Sequence, residues 1–171
     1  MAMDTIKAIM ERRSVRKYER KPLPEGDLQT ILEAGRQAPS AANRQPWHFI
    51  VVRDEKQKRV LSAACSDQVW MADAGAIIAG VSKPATSEKW YAVDVAIAME
   101  NMILAATALG YGTCWIGAFD QERVKAVLQA PDEMHVVALT PVGTPGDRPE
   151  ARARMAMEEF VSGERWGEKL E

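Results

Sequence analysis

The sequence predicts a single domain that mixes helices and strands, and three observations support this prediction. Its 171 residues fall within the range of about 100–200 residues that is typical of one domain. Hydrophobic residues make up 47% and charged residues 27%, as in ordinary soluble globular chains. Segments with apolar residues at helical spacing alternate with short apolar runs typical of strands. This alternation suits either an α+β fold or a doubly wound α/β sheet.

The first predicted helix has Ile6, Ile9 and Met10 at helical spacing, and we expect Met10 to lie in the core. Pro24 begins the second helix and Pro39 ends it. The predicted elements, in chain order, are helix 4–13, helix 24–38, strand 47–52, helix 54–65, strand 76–81, helix 90–109, strand 112–116, helix 120–129, strand 135–142 and a short helical run 155–161.

The later elements rest on local signals. Asp54 with Gln57 three residues on forms a capping box at the start of the third helix. The run 76–81 is wholly apolar and predicts a buried strand. The long helix 90–109 is apolar nearly all round, which is typical of a helix buried in a core or at a subunit interface, and Gly110 ends it.

Residues 144–171 differ in character from the rest of the chain. The segment begins with a run rich in glycine and proline, and its large apolar residues Phe160 and Trp166 have no core of their own. We expect this C-terminal arm to pack on another surface, which is either its own domain or a second subunit.

Composition excludes several classes of protein. No apolar stretch approaches the ~20 residues of a membrane helix, and charged residues interrupt the N-terminus where a signal peptide would be apolar. With two cysteines, two histidines and no CxxC spacing, we expect neither disulfides nor a metal site. A net charge of −2 disfavours nucleic-acid binding. We therefore predict a cytoplasmic protein with no nucleic-acid or membrane partner.

The motifs of hydrolases, P-loop proteins and Rossmann dinucleotide-binding proteins are missing. What remains is a basic segment, 12–16, a second arginine pair near the C-terminus, and a polar loop at 39–47. Three guanidinium groups within five residues could converge on a phosphate or form a solvated basic patch at the end of a helix. Cys114 lies in an apolar run, so we interpret it as a core cysteine rather than a nucleophile.

Four segments together resemble the nitroreductase family of FMN-dependent oxidoreductases. They are Arg12-Arg13-Ser14-Val15-Arg16-Lys17-Tyr18, Ala38-Pro39-Ser40-Ala41-Ala42-Asn43-Arg44-Gln45-Pro46-Trp47, Gly110-Tyr111-Gly112-Thr113-Cys114-Trp115-Ile116-Gly117 and Arg152-Ala153-Arg154. The resemblance implies an α+β, three-layer fold with a central, mostly antiparallel sheet between helices. It also implies a homodimer with FMN at the interface, in which the arm of each chain, from about residue 144 to 171, reaches its partner.

The resemblance also assigns residues to the phosphate end of FMN. Arg12, Ser14, Arg152 and Arg154 resemble the phosphate-binding group, and Arg13 resembles a residue near the phosphate and the ribityl chain. Arg152 stands where the family commonly has lysine.

Other residues resemble those around the flavin ring. Arg16 matches a cation at the pyrimidine edge, where it stabilises the negative charge of the reduced ring. The remaining ring contacts are Pro39, Ser40 and Asn43 from the other subunit, Ile116 and Gly117 at the N5 edge, and Gln68, with Asp67 as its alternative.

The implied activity is hydride transfer from NADH or NADPH through flavin N5 to nitroaromatic, quinone or similar electron-poor acceptors. No side chain is expected to act as a catalytic residue, because the flavin carries the chemistry. Two alternatives stay open: other flavin chemistry on the same fold, such as flavin destruction, dehalogenation or enone reduction and oxidation, and a flavin-binding protein without turnover.

Overall fold

A computed structural model describes residues 4–170, so residues 1–3 and 171 of the predicted domain lie outside the described part. The helices are α1 (Thr5–Glu11), α2 (Glu25–Arg36), α3 (Glu55–Ala64), α4 (Tyr91–Ala108), α5 (Gln121–Leu128) and α6 (Met157–Phe160). The strands are β1 (Trp47–Val52), β2 (Ala76–Ser82), β3 (Gly112–Thr113) and β4 (His135–Gly143). Short 3₁₀ turns occupy Ala41–Asn43, Val69–Asp73 and Pro84–Thr86. The predicted elements are confirmed to within two residues at each end, apart from β3.

The four strands form one sheet in the order β1-β2-β4-β3, and each neighbouring pair is antiparallel. In the central pairing, Ile78 lies opposite Thr140 of β4, and Ile50 of β1 lies opposite Ala79. Every residue of β2 is buried, because helices cover both faces of the sheet. The α+β prediction is therefore confirmed, and the doubly wound alternative is wrong.

The core lies on both sides of this sheet. On one face, Leu61 of α3 and Val124 of α5 pack with Leu139. On the other face, Ile31 of α2 and Met102 of α4 pack against Ile78. Burying a side chain of this size stabilises the folded state by about 1.5–3 kcal/mol, so two such clusters hold the three layers together.

Helix α4 supplies much of the second core cluster. By length and composition alone it could cross a membrane, but Met99 and Met102 are buried against the sheet and α2. The long apolar helix is thus a core helix, with Val93 and Ile97 on its exposed side. The prediction for Met10 is wrong: its side chain is 71% exposed, because α1 buries only Ala8.

Strand β3 is shorter than predicted, and Pro141 of β4 explains why. Thr113 pairs with Val142 and Ile116 with Leu139, so the register places Pro141 opposite Cys114. Proline has no backbone N–H to donate to the ladder, and pairing resumes only as an isolated bridge at Ile116.

The N-terminal segment completes this edge of the sheet. Ser14 forms a parallel bridge with Thr113, and the backbone N–H of Val15 donates to the Thr113 carbonyl at 2.8 Å. Tyr18 forms a further bridge with Pro145. The sheet therefore fixes the backbone that carries the first group of arginines.

Candidate functional site

The two arginine groups from opposite ends of the chain meet in one cleft. Its cavity volume is about 290 Å³. We call it the arginine cleft, and its lining residues are Arg12, Arg13, Ser14, Arg16, Asp147, Pro149, Glu150, Arg152 and Arg154. The basic segment thus does not lie apart as a solvated patch, because the chain returns beside it at residues 147–154.

The arginine cleft carries an excess of positive charge. Five guanidinium groups line it against two carboxylates, those of Asp147 and Glu150. Within residues 4–170, none of the five arginines forms an ion pair, whereas Arg20 lies 2.7 Å from Asp73 and Arg53 lies 2.6 Å from Glu25. Converging cations without counter-ions repel one another, and an anion bound among them would offset that repulsion. The cleft therefore fits a phosphate-bearing group.

Arg13 is fixed by the end of α1. One terminal nitrogen of its guanidinium donates to the carbonyl oxygens of Met10 and Arg12, both at 2.8 Å. A cation at the C-terminal end of a helix meets the negative end of the helix dipole. Arg13 is thus held in the cleft wall, and its remaining N–H groups are left to bind a ligand.

Ser14 and Cys114 lie beside these arginines. Burial raises the pKa of the Cys114 thiol, although Arg16, Ser14 and Arg12 act in the opposite direction. Cys114 is therefore a buried thiol, as its interpretation as a core cysteine predicted. The other free cysteine, Cys65, is also buried, and burial raises its pKa to about 11.

The polar loop 39–46 adopts a strained conformation. Ala42, Asn43 and Gln45 have φ angles of 50°, 54° and 49°, and the left-handed conformation costs non-glycine residues roughly 1–2 kcal/mol each. The hydroxyl of Ser40 accepts the backbone N–H of Gln45 at 3.0 Å. Such strain persists only where surrounding contacts hold it.

Asp94 in the first turn of α4 provides one of those contacts. Its carboxylate, 3% exposed, accepts the backbone N–H of Ala41 at 3.1 Å and the Ser87 hydroxyl at 3.4 Å. Asp94 is not among the predicted site residues. The available signal was an acid in the first turn of a largely apolar helix.

Within one chain, the loop and the arginine cleft do not meet. None of Pro39, Ser40 and Asn43 lines the cleft, and Asp94 holds the loop at the N-terminal end of α4. Arg13, by contrast, lies beside Thr107 and Gly110 at the other end of that helix. The two sets of predicted residues would combine only if a second copy supplied one of them.

The predicted residues at the ring's N5 edge differ in what their backbones can offer. The N–H and C=O of Ile116 bond to Leu139 at 2.9 and 3.0 Å, so neither is free. Gly117 is exposed, and within 4 Å of the position its Cβ would occupy lies only the indole nitrogen of Trp115. Gly117, rather than Ile116, can therefore accept close approach of a ligand.

Gln68 lies near this glycine. Its side-chain amide donates to the carbonyls of Cys65 at 3.0 Å and Ala118 at 3.4 Å. These bonds join the turn that follows α3 to the residue after Gly117. Asp67 is exposed and has a φ of 54°. No group of three or more potential metal-ligating side chains occurs within the described residues.

Comparison with known proteins places the chain in a family. The family model described as "Nitroreductase family" matches residues 9–82 and 64–144. The chain belongs to the nitroreductase family. An Archaeoglobus fulgidus protein named putative NADH dehydrogenase/NAD(P)H nitroreductase is 37% identical over 84% of this chain and 87% of that protein.

Two further proteins show how far the likeness extends. A solved structure of a nitroreductase family protein from Clostridium novyi NT has a TM-score of 0.80 at 34% identity, over 98% of this chain and 97% of that one. A Bacillus subtilis protein named FMN reductase [NAD(P)H] is 27% identical over 91% of this chain and 71% of that protein.

Proposed function

We propose that this nitroreductase-family protein is an FMN-dependent oxidoreductase that uses NADH or NADPH to reduce nitroaromatic, quinone or similar electron-poor acceptors. The observation that carries the proposal is the arginine cleft, where five guanidinium groups that form no ion pair within residues 4–170 converge beside Ser14. The names of the A. fulgidus and B. subtilis relatives support the same donor, and the latter supports the flavin.

Each group of residues has a task in this proposal. Arg12, Ser14, Arg152 and Arg154 bind the phosphate of FMN, and Arg13, held by α1, stands near the phosphate and the ribityl chain. Charge-assisted hydrogen bonds of this kind contribute on the order of 1.5–3 kcal/mol each. The cleft thus anchors the cofactor by its charged end.

Other residues orient the reactive end of the cofactor. Bound FMN supplies hydride transfer at its N5 atom. The backbone of exposed Gly117 would contact that end of the cofactor, and Arg16 would stabilise negative charge on the reduced ring. Ile116 holds Gly117 in place through its two bonds to Leu139, and Gln68 fixes the neighbouring turn. No side chain acts as a nucleophile.

A homodimer completes the site in this proposal, with Pro39, Ser40 and Asn43 reaching the ring from the other subunit. Apolar side chains exposed on one chain support it. They include Ile6, Ile9 and Met10 on α1, Val93 and Ile97 on α4, and Phe160 and Trp166 in the arm, the last of these fully exposed at 100%. We propose that residues 144–171 of each chain cover part of this surface on its partner. A cytoplasmic location stays a prediction.

Anaerobic reduction of the FMN-loaded protein tests the activity. NADH or NADPH should bleach the flavin absorbance, and a nitroaromatic or quinone added afterwards should restore it. A flavin that neither donor bleaches would contradict the reductase and favour the flavin-binding alternative. A flavin that bleaches but is reoxidised by neither acceptor would favour other flavin chemistry.

Analytical ultracentrifugation tests the dimer separately. The FMN-loaded protein should sediment as a dimer at micromolar concentration. A monomer that retains FMN would contradict both the shared site and the exchanged arm, while leaving the arginine cleft in place.

A further inference from the structure

A second basic cleft lies apart from the arginine cleft and shares none of its lining residues. Its cavity volume is about 250 Å³, and it lies between residues 20–23, the start of α3 and residues 72–75. We call it the Lys58 cleft. It is lined by Arg20, Lys21, Pro22, Leu23, Arg53, Glu55, Lys58, Arg59, Ala72, Asp73, Ala74 and Gly75.

Lys58 is the unusual residue in this cleft. It lies in α3 and is only 6% exposed, although lysine is almost never buried unless it is paired. Its ammonium group donates one hydrogen bond, to the Ala74 carbonyl at 2.5 Å. Within residues 4–170 no carboxylate forms an ion pair with it. An ammonium has three N–H donors, so two remain for a ligand.

Burial is the main reason that the pKa of Lys58 is lowered, and together with repulsion from Arg59 it outweighs the attraction of Glu55, Asp73 and Asp54. The surrounding acids therefore do not satisfy the charge. A ligand anion that accepted the two remaining N–H groups would stabilise the charged form, because it would supply the partner that burial removed.

Two neighbouring arginines keep donors available as well. Arg20 bonds to Asp73 through Nε at 2.7 Å, which leaves its terminal nitrogens unused by that ion pair. A terminal nitrogen of Arg59 lies 3.9 Å from a carboxylate oxygen of Glu55, which is beyond hydrogen-bond distance. Lys21 pairs with Glu19 and Arg53 with Glu25. Among the cations that line the cleft, Lys58 is therefore the one that no described carboxylate pairs with, and its charge favours an anion.

The wall of the cleft opposite α3 is backbone. A Cβ on Gly75 would lie 2.8 Å from the Leu23 nitrogen and 2.9 Å from the Lys21 oxygen. Only glycine allows these two segments to approach so closely. The approach keeps residues 20–23 against residues 72–75, where Arg20 pairs with Asp73, the residue before Ala74.

We propose that the Lys58 cleft binds a phosphate group, as free phosphate or as part of a small phosphorylated metabolite. A tetrahedral dianion can accept the two N–H groups of Lys58 together with donors from Arg20 and Arg59. The volume of the cleft exceeds that of one phosphate ion, so a small organic group can accompany it.

Calorimetric titration with inorganic phosphate, and separately with glycerol phosphate, tests the site. The protein is first saturated with FMN, so that the arginine cleft is occupied. Lys58→Met removes the ammonium while keeping the apolar stem, and Lys56→Met on the same helix, an exposed residue outside the cleft, is the matched control. We expect Lys58→Met to weaken phosphate binding at least tenfold and Lys56→Met to leave it unchanged.

Equal phosphate affinity in Lys58→Met and the wild type would overturn the proposal, as would a wild type that binds no phosphate at millimolar concentration. Tighter binding of glycerol phosphate would support the proposal with a metabolite as the ligand, and tighter binding of inorganic phosphate would support it with the free ion.

Two further variants keep the proposal testable if Lys58→Met does not fold or if the protein does not bind FMN. Should Lys58→Met fail to fold, Arg59→Ala changes an exposed side chain and should weaken phosphate binding severalfold; no change would overturn the proposal. If the protein does not bind FMN, the same titrations are carried out on an Arg152→Ala/Arg154→Ala double variant. The proposed function would then have failed separately from the Lys58 cleft.

Discussion

Removal of single guanidinium groups from the arginine cleft should weaken FMN binding in proportion to their burial. Arg152 is exposed and Arg12 is half-buried. One charge-assisted contact contributes about 1.5–3 kcal/mol, or 10- to 150-fold in Kd. Water screens the exposed group, and four guanidinium groups remain after each substitution. Arg152→Ala should therefore raise the Kd of FMN about tenfold. Arg12→Ala should raise the Kd of FMN by a larger factor.

Fluorescence titration with FMN and with riboflavin measures both effects. Riboflavin lacks the phosphate, so it should bind the wild type weakly and respond little to either substitution. Arg123→Ala is the control, because Arg123 is exposed on α5 and lies outside the arginine cleft. The reasoning would be refuted if riboflavin lost as much affinity as FMN, or if Arg123→Ala matched Arg152→Ala.

Three other predictions concern the flavin ring, the loop 39–46 and the hydrogen bond between Tyr111 and Asp27. Arg16→Ala should make the reduction potential of the bound flavin more negative by tens of millivolts in a dye-equilibrated titration, since ~30 mV corresponds to ~1.4 kcal/mol. An unchanged potential together with lost FMN binding would show that Arg16 binds the phosphate instead. Asp94→Ala leaves the Ala41 N–H unpaired, which should lower the free energy of unfolding by about 1–3 kcal/mol and Tm by about 2–10 °C in calorimetry. The protein should lose affinity for riboflavin and for FMN equally. An unchanged Tm would contradict this prediction. Burial, and after it the hydrogen bond to Asp27, raises the pKa of Tyr111 from 10.0 to about 12. Because the unfolded chain loses this proton at lower pH than the folded chain, the free energy of unfolding measured in urea should fall as pH rises from about 10 to 12. An equally steep fall in a Tyr111→Phe variant would refute this prediction.

Local signals predicted most helices and strands because their causes lie within a few residues. Asp54 caps α3 by accepting the Gln57 N–H at 2.8 Å, as the capping box indicated. The truncation of β3 was not predictable in this way, because Pro141 lies on a strand whose pairing partner periodicity does not reveal. The mostly antiparallel direction of the strands likewise came from the resemblance to a family, and no sequence pattern indicated their order.

The candidate site shows the same division. Both arginine groups were recognisable as anion-binding candidates, but only the folded chain brings residues 147–154 beside residues 12–16. Lys58 lies in a run of seven residues, 53–59, of which six are charged. That pattern is typical of a solvated helix face. The burial of Lys58 depends on the Ala74 carbonyl, which belongs to a distant segment. Met10 shows the opposite error: the sequence predicted a core residue, and the side chain is exposed within the described residues.

The convergence of the two termini has a mechanical consequence. An anion held by Arg12 and Arg152 joins the first helix to the final segment, so it acts as a reversible crosslink that closes almost the entire chain into a loop. At a ligand concentration a hundredfold above Kd, such binding stabilises the folded state by about 2.7 kcal/mol. The part of the arm beyond Arg154 is then tethered where it begins. Its rate of cleavage by a protease should therefore report what fraction of the protein carries the ligand.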